Sequence, residues 1–300
     1  MRKLHRFAVL AGKLANADHT RSTGNAWESS LDEIGPRPQD PAMITLYDNA
    51  FSPFARKVRL VLDHKQLAYD VVDGLKRQNH DALAAVNARA EVPALVHDGT
   101  VVVNSSDIVA YLERVFPERP VYPASPAGWA RARAWERCSD TVVDAILIDI
   151  SYWAWAERPD TMPAGLLDAA RADLARVYAA LERDLAGRDF VCGELSIADL
   201  ALFPQLTAAK ALDVSFDGAR YPALLAWYKR MRGLAPCQAD LERMKNHLAN
   251  GPAGLDLERV KIFWRGDRLE WILARGYHRW LVREIEEGRV LWPGLGIPGP

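Results

Sequence analysis

Apolar residues recur along this chain in two rhythms, and the switches between them outline the elements. Ile44-Thr-Leu-Tyr47 alternates as a strand does, whereas Phe54 to Lys65 sets Val58, Leu60, Val61 and Leu62 at helical spacing. Leu67-Ala-Tyr-Asp-Val-Val72 then reads as a second strand, and a strand-helix-strand succession this short predicts parallel neighbours in one sheet. A polar, weakly helical stretch follows to Asn87. Pro93 to His97 and Thr100 to Val103 flank Asp98-Gly99, a dipeptide suited to the positive φ angles of a tight hairpin, so these two strands are predicted to be antiparallel. Ser105 to Phe116 carries Ile108, Tyr111, Leu112 and Val115 at helical spacing and is stopped by Pro117.

Beyond a Pro-rich link at 120–128 the rhythm is helical: Trp129 to Ala156, Ala164 to Leu185, Ser196 to Leu212, Pro222 to Met231 and Cys237 to Leu248. Strand-like alternation returns at Asp256 to Trp264, before a helix predicted over Asp267 to Glu287; the Pro- and Gly-rich tail 292–300 cannot be regular helix. The pattern divides the chain into a loosely ordered extension (1–42), an α/β domain (43–119), the linker (120–128), an all-helical domain (129–248) and a C-terminal extension (249–300). The tryptophans of that extension predict that it packs on the body, as a wall of a pocket or as part of a dimer contact. The first 42 residues are polar and Pro-rich with no sustained period. An upstream start codon ahead of Met43 and an organelle-targeting peptide are the two readings left open for them.

Composition narrows the partners. The 38 basic and 39 acidic residues nearly cancel, which leaves no charge excess for a nucleic acid or an anionic membrane. No apolar run reaches the roughly 18 residues of a membrane span, and a cytoplasmic location is expected. Cys138, Cys192 and Cys237 show neither CxxC nor Cys/His spacing, so no metal site and no disulfide framework is expected. All three read as small packing residues.

Four segments carry the chemistry. Ser52-Pro-Phe-Ala-Arg-Lys-Val-Arg59 reads as a helix start with Ser at the cap and Pro at the first position. Asn87-Ala-Arg-Ala-Glu-Val-Pro93 enters the third strand, and Asn104-Ser105 opens the helix after the fourth. Phe190-Val-Cys-Gly-Glu-Leu-Ser-Ile-Ala-Asp199 reads as a capping box, with Ser196 at the cap, Asp199 reaching back to it and Leu195 stapled onto Leu200. At these spacings, in a β-α-β-α-β-β-α unit followed by helices, they resemble the soluble glutathione S-transferases of the serine type, over about two thirds of the chain. The resemblance implies a thioredoxin-like N-terminal domain, an all-α C-terminal domain, glutathione as co-substrate and a homodimer.

Carried over residue by residue, the resemblance makes Ser52 the hydroxyl that hydrogen-bonds the glutathione sulfur, with Tyr47 at the end of the first strand as its rival. It makes Pro93 the carrier of a cis peptide bond and Val92 the backbone partner of the cysteinyl unit, and it assigns the γ-glutamyl group to Asn104 and Ser105. Ala88, Ala90, Glu91 and Asn104 depart from the family pattern. Glu91 stands where a Lys or Gln often meets the glycyl carboxylate, and Asn104 replaces an acid or Gln. Phe54, Trp129, Arg133, Tyr152 and Trp153 are the expected wall of the pocket for a small electrophile, apolar or aromatic; a core role competes for each aromatic. The activity implied is conjugation of the glutathione thiol to that electrophile. Glutathione-dependent dehalogenation or ether cleavage, and a non-catalytic binding or regulatory role, are the alternatives. With no cysteine before Cys138, mixed-disulfide chemistry in the first domain is disfavoured.

Overall fold

The structure, a computed structural model, describes residues 43–155, 162–249, 261–262 and 266–291. Four strands form one sheet in the order β2-β1-β3-β4: β1 (Ile44–Asp48), β2 (Asp70–Asp73), β3 (Ala94–His97) and β4 (Thr100–Val103). β1 runs parallel to β2 and antiparallel to β3, and β3 is antiparallel to β4. Helix α1 (Pro53–Lys65) joins β1 to β2, a 3-10 turn and α2 (His80–Val86) lead to β3, and α3 (Ser105–Val115) follows β4. The apolar spacing of α1 and α3 explains their place. Val58, Val61, Leu62, Ile108 and Leu112 are buried in one core with Leu46 and Leu95 of the sheet. This is a thioredoxin-like domain.

The helical part holds α4 (Pro126–Cys138), a π turn (Ser139–Val143), α5 (Asp144–Trp155), α6 (Leu166–Leu185), α7 (Ile197–Ala211), α8 (Pro222–Gly233) and α9 (Ala235–Ala249). α7 packs against both α4 and α1, which ties the two domains. Its start is held by the predicted box: Asp199 accepts from Ser196 N (3.0 Å), and also from Val191 N (3.0 Å) and the Trp227 indole (2.7 Å). The C-terminal segment contributes α10 (Gly266–Ala274), α11 (His278–Glu286) and a short parallel pair, β5 (Lys261–Ile262) with β6 (Val290–Leu291). α10 lies along α5.

Several expected boundaries move. The second strand starts at Asp70 rather than Leu67, because Gln66 closes α1 in the left-handed region (φ 59°) and Leu67 N is still bonded to Leu62 O. The fourth helix begins at Pro126, three residues before Trp129, since the Ser125 hydroxyl caps it through Gly128 N (3.1 Å), and the π turn interrupts it. The single helix expected over 267–287 is two helices, broken at Gly276, whose φ of 81° no helix residue adopts. Of the strand expected at 256–264 only Lys261 and Ile262 fall within the described residues, and the tail 292–300 and the first 42 residues lie outside them.

Candidate active site

Strand register assembles the site. Val72, Tyr47, Ala94 and Val103 stand side by side in one row across the sheet. Immediately beyond that row, at one end of the sheet, lie the β1–α1 loop with Ser52, the Val92-Pro93 step into β3, and the Asn104-Ser105 step into α3. Segments 40 or more residues apart in sequence thus meet along a single edge.

Ser52 is the cap of α1, with Pro53 at the first helical position, and its Oγ accepts from Ala55 N (3.3 Å). As an acceptor in that bond the hydroxyl keeps its own proton to donate outward, at the positive end of a 13-residue helix. A thiolate beside it would be stabilised on both counts. The loop ahead of Ser52 is fixed by Asn49, whose carbonyl accepts from Ser52 N (3.0 Å), whose side chain accepts from Phe51 N (3.0 Å) and whose amide donates to Asp73 (3.2 Å). Tyr47 is half-buried, and strand alternation puts its side chain on the face opposite Leu46 and Asp48. Asp48 pairs with Arg59 of α1 (2.7 Å), so Tyr47 points away from the face that α1 covers.

The Val92-Pro93 peptide bond is cis, as the resemblance implied. Gly74 shows how closely Val92 is backed: a Cβ there would stand 2.9 Å from Val92 Cγ1. The preceding loop is clamped by Asn87, which donates to Glu91 O (2.9 Å) and accepts from Arg89 N (3.1 Å). Ala90 sits at φ 51°, a conformation in which a Cβ is strained, at the position where the family pattern has Gly. Glu91 forms an ion pair with Arg89 (2.6 Å).

Asn104 has φ 68° and ψ 129°, outside the regions an L-residue favours, and such strain gathers at ligand clamps. Its exposed amide donates to Asp107 (3.1 Å), while Ser105 is buried at the first position of α3. Behind Ser105, Ser106 joins a buried cluster: Lys57 Nζ reaches Asp140 (2.6 Å), Glu136 (3.0 Å) and Ser106 Oγ (3.2 Å). The start of α3 is thereby fastened to α1 and to the π turn.

The residues expected to wall an electrophile pocket do not lie together. Phe54 is near Ser52 and largely buried; Arg133 is engaged by Glu136 (2.6 Å) and the Tyr122 hydroxyl (3.2 Å), and Trp129 is 50% exposed beside Tyr122. Tyr152 and Trp153 are at 0% and 1% exposure, stacked on one another and on Trp280 of α11. These two belong to the core that receives the C-terminal segment, and no surface of theirs is open to a small molecule. Burial pushes the thiols of Cys138, Cys192 and Cys237 up from their ordinary range, which suits packing and not nucleophilic chemistry. Among the described residues no three His, Cys, Asp or Glu converge to hold a metal ion, and no helix is long and apolar enough to cross a membrane.

Sequence reasoning missed the cations of α1. Arg56 is buried and binds Asp240 of α9 through Nη2 (2.6 Å) and Nε (3.1 Å) and Pro204 O of α7 (3.2 Å); Arg59 bridges Asp48 (2.7 Å) and Asp240 (3.3 Å). Their signal is present in hindsight. Arg56, Lys57 and Arg59 fill consecutive faces of a helix that has no solvent face left, because sheet and helical domain cover it from both sides.

Comparison with known proteins agrees with this geometry. The family model for the glutathione S-transferase N-terminal domain matches residues 46–120, and that for the C-terminal domain matches residues 154–230. A probable glutathione S-transferase of Oryza sativa subsp. japonica is 32% identical over 207 residues, covering 63% of this chain and 86% of the relative. A glutathione S-transferase of Methylobacillus flagellatus, solved with glutathione bound, is 26% identical with a TM-score of 0.56, over 66% of this chain and 98% of that one. The β-etherase LigF of Sphingobium sp. strain SYK-6 shares the fold at 22% identity, with a TM-score of 0.59 over 68% of this chain and all of that one. With both family domains matched in order on a sheet edge that brings their motifs together, this chain belongs to the glutathione S-transferase family.

Proposed function

We propose that the chain is a glutathione transferase in which Ser52 donates its hydroxyl proton to the glutathione sulfur. Residues 43–119 form the glutathione-binding domain in this reading. Val92 pairs through its backbone with the cysteinyl unit as an added strand would, and Ser105, with the amides at the start of α3, receives the γ-glutamyl carboxylate. The thiolate then attacks an electrophilic carbon of an apolar or aromatic small molecule; the S–C bond forms and the leaving group departs with its electron pair. The observation that carries the reading is the convergence of Ser52, Val92-Pro93 and Asn104-Ser105 beyond one row of the sheet. Ser52 is favoured over Tyr47 because it caps α1 with a free proton to give, whereas Tyr47 lies on the other face of β1. A homodimer in the cytoplasm is the working form proposed.

Turnover of 1-chloro-2,4-dinitrobenzene with glutathione tests the reading. Ser52→Ala is expected to lower kcat/KM by about a hundredfold, the usual cost of one hydrogen-bond donor to a developing or resident anion. Full activity in that variant would end the serine assignment. Glutathione-dependent ether cleavage is a second reading, favoured by the likeness to LigF, and release of a phenol from an aryl ether would separate it from simple conjugation.

A further inference from the structure

The C-terminal segment lies beyond both matched family domains, the second of which ends at residue 230. It nonetheless sends one side chain to the Ser52 end of the molecule. Arg268 of α10 is 4% exposed; its Nε donates to Asp144 (2.9 Å) at the start of α5, and its guanidinium carbon stands 5.9 Å from the centre of the Phe54 ring. Phe54 is the second residue of α1, two after the Ser52 cap. Helical side chains lean toward the helix N-terminus, so the ring is tilted back toward the hydroxyl that the sulfur would meet.

We infer that Arg268 is a positioning residue for the electrophile: with Phe54 it closes the wall beside the glutathione sulfur, and so selects flat aromatic co-substrates. The inference rests on the glutathione reading of the Ser52 end. Three features support it. A buried arginine-carboxylate pair is a poor choice for stability alone, since well-packed apolar groups do as well or better. The planar guanidinium can hold a ring on its face and a carboxylate on its edge at once, which an ammonium cannot. The segment that carries Arg268 is also rigidly seated, with Trp280 stacked on Trp153 (5.1 Å between centres) and the Tyr152 hydroxyl donating to Glu284 (3.3 Å).

The test uses the full chain with Arg268→Ala and Arg268→Lys. Calorimetry with glutathione and with S-(2,4-dinitrophenyl)glutathione, whose aryl group occupies the electrophile side, separates the two halves of the site. Arg268→Ala is expected to weaken the aryl conjugate about tenfold while glutathione affinity stays within about twofold. In turnover, KM for 1-chloro-2,4-dinitrobenzene should rise by a similar factor with a smaller change in kcat. Arg268→Lys keeps the ion pair to Asp144 and should restore the melting temperature without restoring aryl affinity; if the alanine variant does not fold, the lysine variant decides alone. Unchanged conjugate affinity in a folded variant, or equal losses for conjugate and glutathione, would overturn the inference and leave the glutathione reading standing. A wild-type protein that binds neither ligand removes that reading and the inference with it.

Discussion

Ala90 holds a φ of 51° in the loop that delivers Val92 to the site, clamped there by the Asn87 side chain. An L-residue in that region is strained by roughly 1–2 kcal/mol, and glycine is not. Ala90→Gly, read by thermal or urea unfolding, is therefore expected to stabilise the protein by about 0.5–1 kcal/mol, part of the relief being offset by the freer unfolded chain. The sequence pattern shows that the family's glycine is missing at this position, but not that the backbone keeps the glycine's conformation. The same limit explains the largest omission at this scale. Arg56, Lys57 and Arg59 look like the polar face of an amphipathic helix, and only the covering of α1 from two sides converts them into buried ion pairs.

Elements were legible where they repeat a period over several turns. α1, α3 and the five helices between Pro126 and Ala249 follow their apolar spacing, and the hairpin follows Asp98-Gly99. What the pattern hid were local backbone events: the π turn inside the fourth helix, the break at Gly276, and two-residue strands too short to alternate. The cap of α7 was readable, although its reach was not. Asp199 also serves Val191 and Trp227, so Asp199→Ala strips acceptors from three buried donors and should cost about 3 kcal/mol, measured as a shift in denaturant midpoint at constant slope. The end of α9 adds a pH response. His247 packs edge-on against Phe51 (4.8 Å) in the loop that leads to Ser52, and burial holds its imidazole below the ordinary 6.5, with Asp73 opposing and Lys76 and Arg59 reinforcing the shift. The unfolded chain then takes up the proton first. Stability is whole above about pH 6.5 and falls as the pH drops through the depressed folded value. His247→Phe should flatten part of that decline in melting temperature between about pH 7.5 and 5.5, the remainder including His64, which burial shifts the same way.

Across the whole molecule the two domains are joined by charge as well as by apolar packing. Asp240 of α9 is completely buried and holds Arg56 and Arg59 at once. Asp240→Ala leaves both guanidinium groups short of a partner in the interior and is expected to cost roughly 3–5 kcal/mol, whereas Arg56→Met combined with Asp240→Leu should cost much less. Equilibrium unfolding of the three proteins would show this, and equal losses in the single and double variants would contradict the pairing as the cause. None of this was visible along the chain, because Arg56 and Asp240 are 184 residues apart and each resembles an ordinary surface charge.

The π turn at Ser139–Val143 has a consequence for how such chains tolerate change in length. Its wider turn accommodates one more residue than an α-helix would between Asp140, which is bound to Lys57, and Asp144, which is bound to Arg268. Losing a single residue in that stretch would rotate all that follows by about 100°. Asp144 would turn from Arg268, and Trp153 from Trp280. A one-residue gap placed there in an alignment would look harmless, yet it would unhook the C-terminal segment from the helix that carries Ser52.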